Sequence, residues 1–95
     1  MTTAHVLVVD DYEDTRAMCS EFFEFMGYRV STAADGREAV EKAHDRPDVI
    51  LMDLSLPQLD GWGAIEAIKA DPGTREIPII VITGHALAPM RERAL

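Results

Sequence analysis

Three acids and a threonine in this 95-residue chain stand where short apolar runs stop. Asp10-Asp11 follows Val6-Leu7-Val8-Val9, Asp53 follows Val49-Ile50-Leu51-Met52, and Thr83 follows Ile79-Ile80-Val81-Ile82. If the runs are strands of one parallel sheet, these residues share the edge where ligands collect in open α/β folds. With the first and third strands adjacent, Asp10, Asp11 and Asp53 converge on one small volume. Two like charges ~4 Å apart repel by about 4 kcal/mol at an effective dielectric of about 20. Such a cluster needs a cation, a proton or a ligand bringing positive charge. Its all-oxygen donors suit magnesium or manganese rather than zinc. With metal bound, a carboxylate can attack a phosphoryl group and form an acyl phosphate. A nearby hydroxyl can then hydrogen-bond the product. Asp53 and Thr83 have the residue types for those two roles.

Each residue also has a simpler reading. Asp10 and Asp11 can cap a following helix and complement its dipole. Asp53 can open the next loop through a local side-chain bond, and Thr83 is an ordinary strand residue. It is the combination that carries the signal. No histidine is expected to join the acids: His5 starts the first run, His44 ends a helix, and His85, two residues past Thr83 at the right end of the sheet, is expected to face solvent. Competing chemistries lack their motifs. There is no G-x-x-x-x-G-K-[ST] and no G-x-G-x-x-G after the first run, and Gly61-Trp62-Gly63 fails at the third glycine. No Ser or Cys sits on a nucleophile elbow.

The elements that must position these residues alternate strictly. Residues 4–9 are continuously apolar, as in a strand buried on both faces. From 13 to 26, Met18, Phe22, Phe25 and Met26 recur at helical spacing, and Gly27 is a natural stop. Residues 28–33 read as a second strand. Asp35 caps a helix to about residue 45, with Glu38 completing a capping box. Residues 48–52 form a third strand, and 54–61, with Pro57 and Asp60-Gly61, a loop. Residues 62–70 form a third helix, broken by Pro72-Gly73. Residues 77–82 form a fourth strand, in which Pro78 is tolerable near the start. Pro89 suits the first turn of a helix beginning near Ala88. Four β-α units in series imply an α/β fold with a parallel sheet and right-handed crossovers.

Composition narrows the function classes. The chain is 47% hydrophobic in clustered runs, which argues against disorder. No apolar run approaches the ~20 residues of a membrane span, and the N-terminus has no signal-peptide pattern. A single cysteine, Cys19, excludes an internal disulfide framework. These features point to the cytoplasm. Seventeen acids against nine bases give a charge of −8, poorly suited to neutralising nucleic-acid phosphates.

In order and spacing the chain resembles the receiver domain of two-component response regulators over essentially its whole length. The resemblance rests on Val8-Val9-Asp10-Asp11, Asp35-Gly36-Arg37-Glu38-Ala39 and Asp48-Val49-Ile50-Leu51-Met52-Asp53. It continues through Leu56-Pro57-Gln58-Leu59-Asp60-Gly61 to Ile80-Val81-Ile82-Thr83-Gly84-His85-Ala86. It implies one receiver domain over residues 1–95 with a flavodoxin-like, doubly wound sheet in the order 2-1-3-4. By this resemblance Asp53 accepts a phosphoryl group from a phosphohistidine on a sensor kinase or phosphotransfer protein. Asp11 binds Mg2+ (or Mn2+) directly, Asp10 lies close by or acts through water, and Ser55 contributes its backbone carbonyl. Thr83 swings toward the acyl phosphate and reports it to an effector domain or downstream protein. Ser55 and His85 fall where such domains tune the lifetime of the phosphorylated state.

One departure matters. Family members continue into a fifth strand, opening with a lysine that pairs with the phosphoryl group, and a fifth helix. This chain stops before both, and Lys42 and Lys69 lie in helices where neither can replace that lysine. The expectation is partial metal binding, impaired phosphorylation and self-association through the edge of the fourth strand. The protein is expected to switch interactions rather than turn over a small-molecule substrate. Two other classes remain: a phosphorylation-independent pseudo-receiver, and a haloacid dehalogenase-like Mg2+ phosphohydrolase. The first is opposed by the intact acids. The second is opposed by Ser55, where that chemistry wants a second acid.

Overall fold

The computed structural model describes residues 3–53 and 61–82. The apolar runs form strands β1 (His5–Val9), β2 (Arg29–Ala33), β3 (Val49–Asp53) and β4 (Ile79–Ile82). Between them lie helices α1 (Glu13–Phe25), α2 (Gly36–Ala43) and α3 (Gly61–Ala70). The strands pair in parallel in the order β2-β1-β3-β4, as the resemblance implies. Every residue of β1 is buried, which explains why it is apolar without alternation. The loop at 54–60 and the helix expected near Ala88 lie outside the described residues.

Strand periodicity then sorts the core. Leu7 and Val9 of β1 and Ile50 and Met52 of β3 point to one face, where they meet Ala39 and Ala43 of α2 and Ala64 and Ile68 of α3. The alanines keep the helices close to the sheet. Thr74, buried just after α3, donates its hydroxyl hydrogen to the Ile68 carbonyl at 2.7 Å. Lys69 donates to the carbonyls of Arg75 and Ile77, both at 2.9 Å, and so ties down the turn into β4. That turn consumes Ile77 and Pro78, so β4 starts two residues later than the apolar pattern predicts. The Ile77 amide donates to Thr74, and the Pro78 carbonyl accepts from Ile50.

The capping box at α2 forms with one shift. The Asp35 carboxylate accepts from the Glu38 amide at 2.8 Å, while Glu38 reaches back to the Ala34 amide, one residue earlier than the usual pattern. Gly27 ends α1 at φ +97°, in the left-handed region that favours glycine.

Helix α1 departs from expectation. Met18, Phe22, Phe25 and Met26 are all exposed, Phe25 by 88%, and the helix has no fully buried residue. Its half-buried positions are Thr15, Arg16, Cys19, Ser20 and Phe23, a helical stripe of mostly small or polar residues. At 3.6 residues per turn the apolar stripe is centred about 110° away. Periodicity located a stripe correctly but not the neighbour it meets. Trp62, in the first turn of α3, is 41% exposed.

At the N-terminal end of the sheet His5 is buried. Its Nε2 lies 2.6 Å from Ser31 Oγ and its Nδ1 3.3 Å from an Arg29 guanidinium nitrogen. Arg29 can only donate, so Nδ1 is the accepting nitrogen and Nε2 carries the proton. Burial, and then the Arg29 charge, push the His5 pKa below 6.5. The neutral form is therefore the folded one. Its stabilisation is present above pH 6.5 and is lost as pH falls through the lowered folded value. His44 has the opposite sign: its hydrogen bond to Asp71, at 2.9 Å on the surface, raises its pKa above 6.5. That contribution is present below pH 6.5 and fades as pH rises through the raised value. His5→Gln is expected to flatten the acid side of a stability–pH curve measured by urea unfolding, leaving the His44 part in place. An unchanged acid slope would contradict the assignment.

Candidate metal centre

Strand register builds the site. Val9 pairs with Met52 across β1 and β3, so Asp10 and Asp53 leave the sheet side by side. Asp11 follows on the turn into α1. One oxygen from each of Asp10, Asp11 and Asp53 lies within 4.8 Å of the others. Asp10 and Asp53 are buried, at 5% and 4% exposure, and Asp11 is exposed. At 4.8 Å a pair of carboxylates repels by about 3 kcal/mol at a dielectric of about 20. Two buried members and one open to solvent form a half-walled cup of hard oxygen donors. That donor set fits a small divalent cation that keeps part of its water shell.

The capping alternative is only partly realised. Tyr12, not either aspartate, is the N-cap of α1, and its side chain makes no capping bond. Asp10 does accept from the Tyr12 amide at 2.9 Å, which fixes its carboxylate beside the turn. Asp53, expected within the site from strand three, is the last residue of β3. Ser55, Thr83 and His85 lie outside the described residues, as does any loop bond made after Asp53.

Around the acids runs a network that residue types alone did not suggest. The Asp10 amide donates to the Ala33 carbonyl at 3.1 Å, tying the ends of β1 and β2. Arg16 Nη1 donates to the Asp10 carbonyl at 2.8 Å. Glu38 is held below the usual carboxylate range first by the Ala34 amide, then by Lys42, whose ammonium is 3.1 Å away. Lys42 also donates to the Thr32 carbonyl. The chain has two lysines, and both are thus committed: Lys42 here and Lys69 in the turn before β4. Cys19 lies near Asp10, and burial, helped by that negative charge, pushes its thiol up. Both effects disfavour a thiolate there. The signal for Arg16 was its place six residues after Asp10 on the second turn of a helix, but only the fold shows that its target is a carbonyl.

At the opposite end of the sheet is a cavity of about 430 Å3, its polar lining drawn from Arg46, Asp48 and Glu76. Asp48 is occupied there, accepting from the His5 amide at 2.7 Å. No helix among the described residues is long and apolar enough to cross a membrane.

Comparison with known proteins agrees with this architecture. The family model for the response regulator receiver domain matches residues 6–95. Response regulator PleD of Caulobacter vibrioides is 42% identical over 82 residues, covering 85% of this chain and 18% of that protein. The probable transcriptional regulator ycf27 of Guillardia theta is 38% identical over 93 residues, covering 97% of this chain and 35% of that protein. The chain therefore spans about a third or less of these relatives. Among solved structures, the chemotaxis protein CheY4 of Vibrio cholerae superposes with a TM-score of 0.86 at 36% identity, covering 98% of this chain and 78% of that one. The receiver domain of the sensor histidine kinase PA1611 of Pseudomonas aeruginosa, solved with magnesium coordinated in its active-site cleft, gives 0.86 at 39%, covering 96% and 75%. Fold, strand order and a family match across nearly the whole sequence coincide: the chain belongs to the response regulator receiver domain family.

Proposed function

We propose that the chain is a phosphoacceptor receiver in which Asp53 takes a phosphoryl group with Mg2+ held by Asp10, Asp11 and Asp53. The observation that carries this reading is the convergence of the three carboxylates within 4.8 Å at the carboxyl end of the parallel sheet. A carboxylate oxygen of Asp53 attacks phosphorus, the bond from phosphorus to the donor's imidazole nitrogen or acetate oxygen breaks, and the donor leaves with that electron pair. The product is an aspartyl phosphate. A bound divalent ion would neutralise the phosphoryl oxygens and offset the repulsion among the acids. Ser55 would add its carbonyl to the metal, Thr83 would hydrogen-bond the product, and Ser55 and His85 would tune its lifetime. The donor would be a histidine kinase or phosphotransfer protein, and the output an effector domain or downstream protein in the cytoplasm. β4 is the last strand in the order among the described residues and carries the half-exposed Ile80, which supports association between copies of this chain through that edge.

Mass spectrometry after treatment with acetyl phosphate tests the reading. With Mg2+ present, a phosphoryl adduct is expected on the peptide containing Asp53. With a chelator present it is expected to disappear. An adduct indifferent to metal, or none with Mg2+ bound, would contradict the proposal.

A further inference from the structure

The acids need a rigid frame, because Asp11 sits on an exposed turn that has already left the sheet. Asp10 is held at three points: its amide by the Ala33 carbonyl at 3.1 Å, its carboxylate by the Tyr12 amide at 2.9 Å, and its carbonyl by Arg16 Nη1 at 2.8 Å. Arg16 also uses its backbone amide, which donates to the Tyr12 carbonyl at 3.0 Å. The carbonyls on either side of Asp11 are therefore both held by one residue. Arg16 is half-buried on the stripe of α1 that faces the sheet, so its position follows from the packing of the helix.

We propose that Arg16 is a positioning residue that clasps the Asp10–Tyr12 turn and so presets the Asp10 and Asp11 carboxylates for a divalent cation. The inference rests on the metal reading of the cluster given above. It assigns Arg16 no contact with the ion. Position and charge make opposite predictions. A guanidinium beside a cation site repels the cation, so if charge were its only effect, removing Arg16 would tighten binding. If Arg16 sets the geometry, removing it loosens binding, as for other groups that orient metal ligands.

The test is calorimetric titration of Mg2+ into the wild-type chain and into Arg16→Ala, Arg16→Met and Arg16→Lys, with thermal unfolding in chelator as the control on folding. Arg16→Ala and Arg16→Met are expected to weaken Mg2+ binding about tenfold. Met keeps most of the apolar stem, so the comparison survives if Ala lowers stability. Arg16→Lys retains a charged donor and is expected to recover affinity to within about threefold of wild type. Affinity unchanged or increased in the folded Ala and Met variants would overturn the role of Arg16 while leaving the metal reading intact. A wild-type chain that binds no Mg2+ would overturn the metal reading, and this inference with it.

Discussion

Asp53→Asn is expected to reduce the phosphoryl adduct formed from acetyl phosphate and Mg2+ to background. The substitution keeps the shape of a side chain that is 4% exposed at the end of β3, so the core around it is not reopened. It removes the anionic oxygen, and an amide is too weak a nucleophile to form the acyl phosphate. It also leaves two charges where three converged, so Mg2+ binding should weaken in the same variant. Asp11→Asn separates the two effects. It should weaken metal binding yet leave the acceptor in place, so a reduced adduct should be regained at higher Mg2+. The check is peptide mass spectrometry on the three chains side by side. An adduct that survives Asp53→Asn would mean another residue is the acceptor.

Leu7→Ala is expected to be the most damaging conservative change in the core. Leu7 is fully buried on β1, between β2 and β3, and packs in the cluster with Ile50, Met52 and the α2 and α3 alanines. Truncating it removes buried apolar contacts and leaves a cavity the rigid sheet cannot close, at a cost of about 3 kcal/mol. For a domain this small that lowers the unfolding midpoint by roughly 12–24 °C. Phe25→Ala removes a larger side chain but should cost less than about 0.5 kcal/mol, because Phe25 is 88% exposed. Urea and thermal unfolding of both variants decides the matter. Equal losses would mean that α1 buries its apolar stripe.

The sheet was legible in the sequence because its strands are unbroken apolar runs: β1 is buried on both faces, and β3 and β4 keep the same pattern although Ile80 is 52% exposed. Residues 6–9, 49–52 and 79–82 required no tertiary information to be recognised. The acids at their ends were legible for the same reason: a carboxylate that ends a buried run is placed by the run. Neighbouring strands were harder, since no local signal says that β1 lies between β2 and β3; the resemblance supplied that order and the register agrees. Helix α1 shows where periodicity stops. Met18, Phe22, Phe25 and Met26 mark an apolar face, but the helix meets the sheet through Thr15, Arg16, Cys19, Ser20 and Phe23. The targets of Arg16 and Thr74 were invisible for a related reason. Both residues act on backbone carbonyls, at Asp10 and Ile68, which no side-chain pattern encodes.

The central claim is that Asp10, Asp11 and Asp53 form one cation site. Its most direct test is a Mg2+ titration followed by the amide resonances of the isotope-labelled chain. Saturable shifts are expected at Asp10, Asp11, Tyr12 and Asp53, weakened in Asp11→Asn, with His5 and Arg29 at the far end of the sheet unaffected. Shifts spread evenly over the surface acids, or no saturation at millimolar Mg2+, would contradict it.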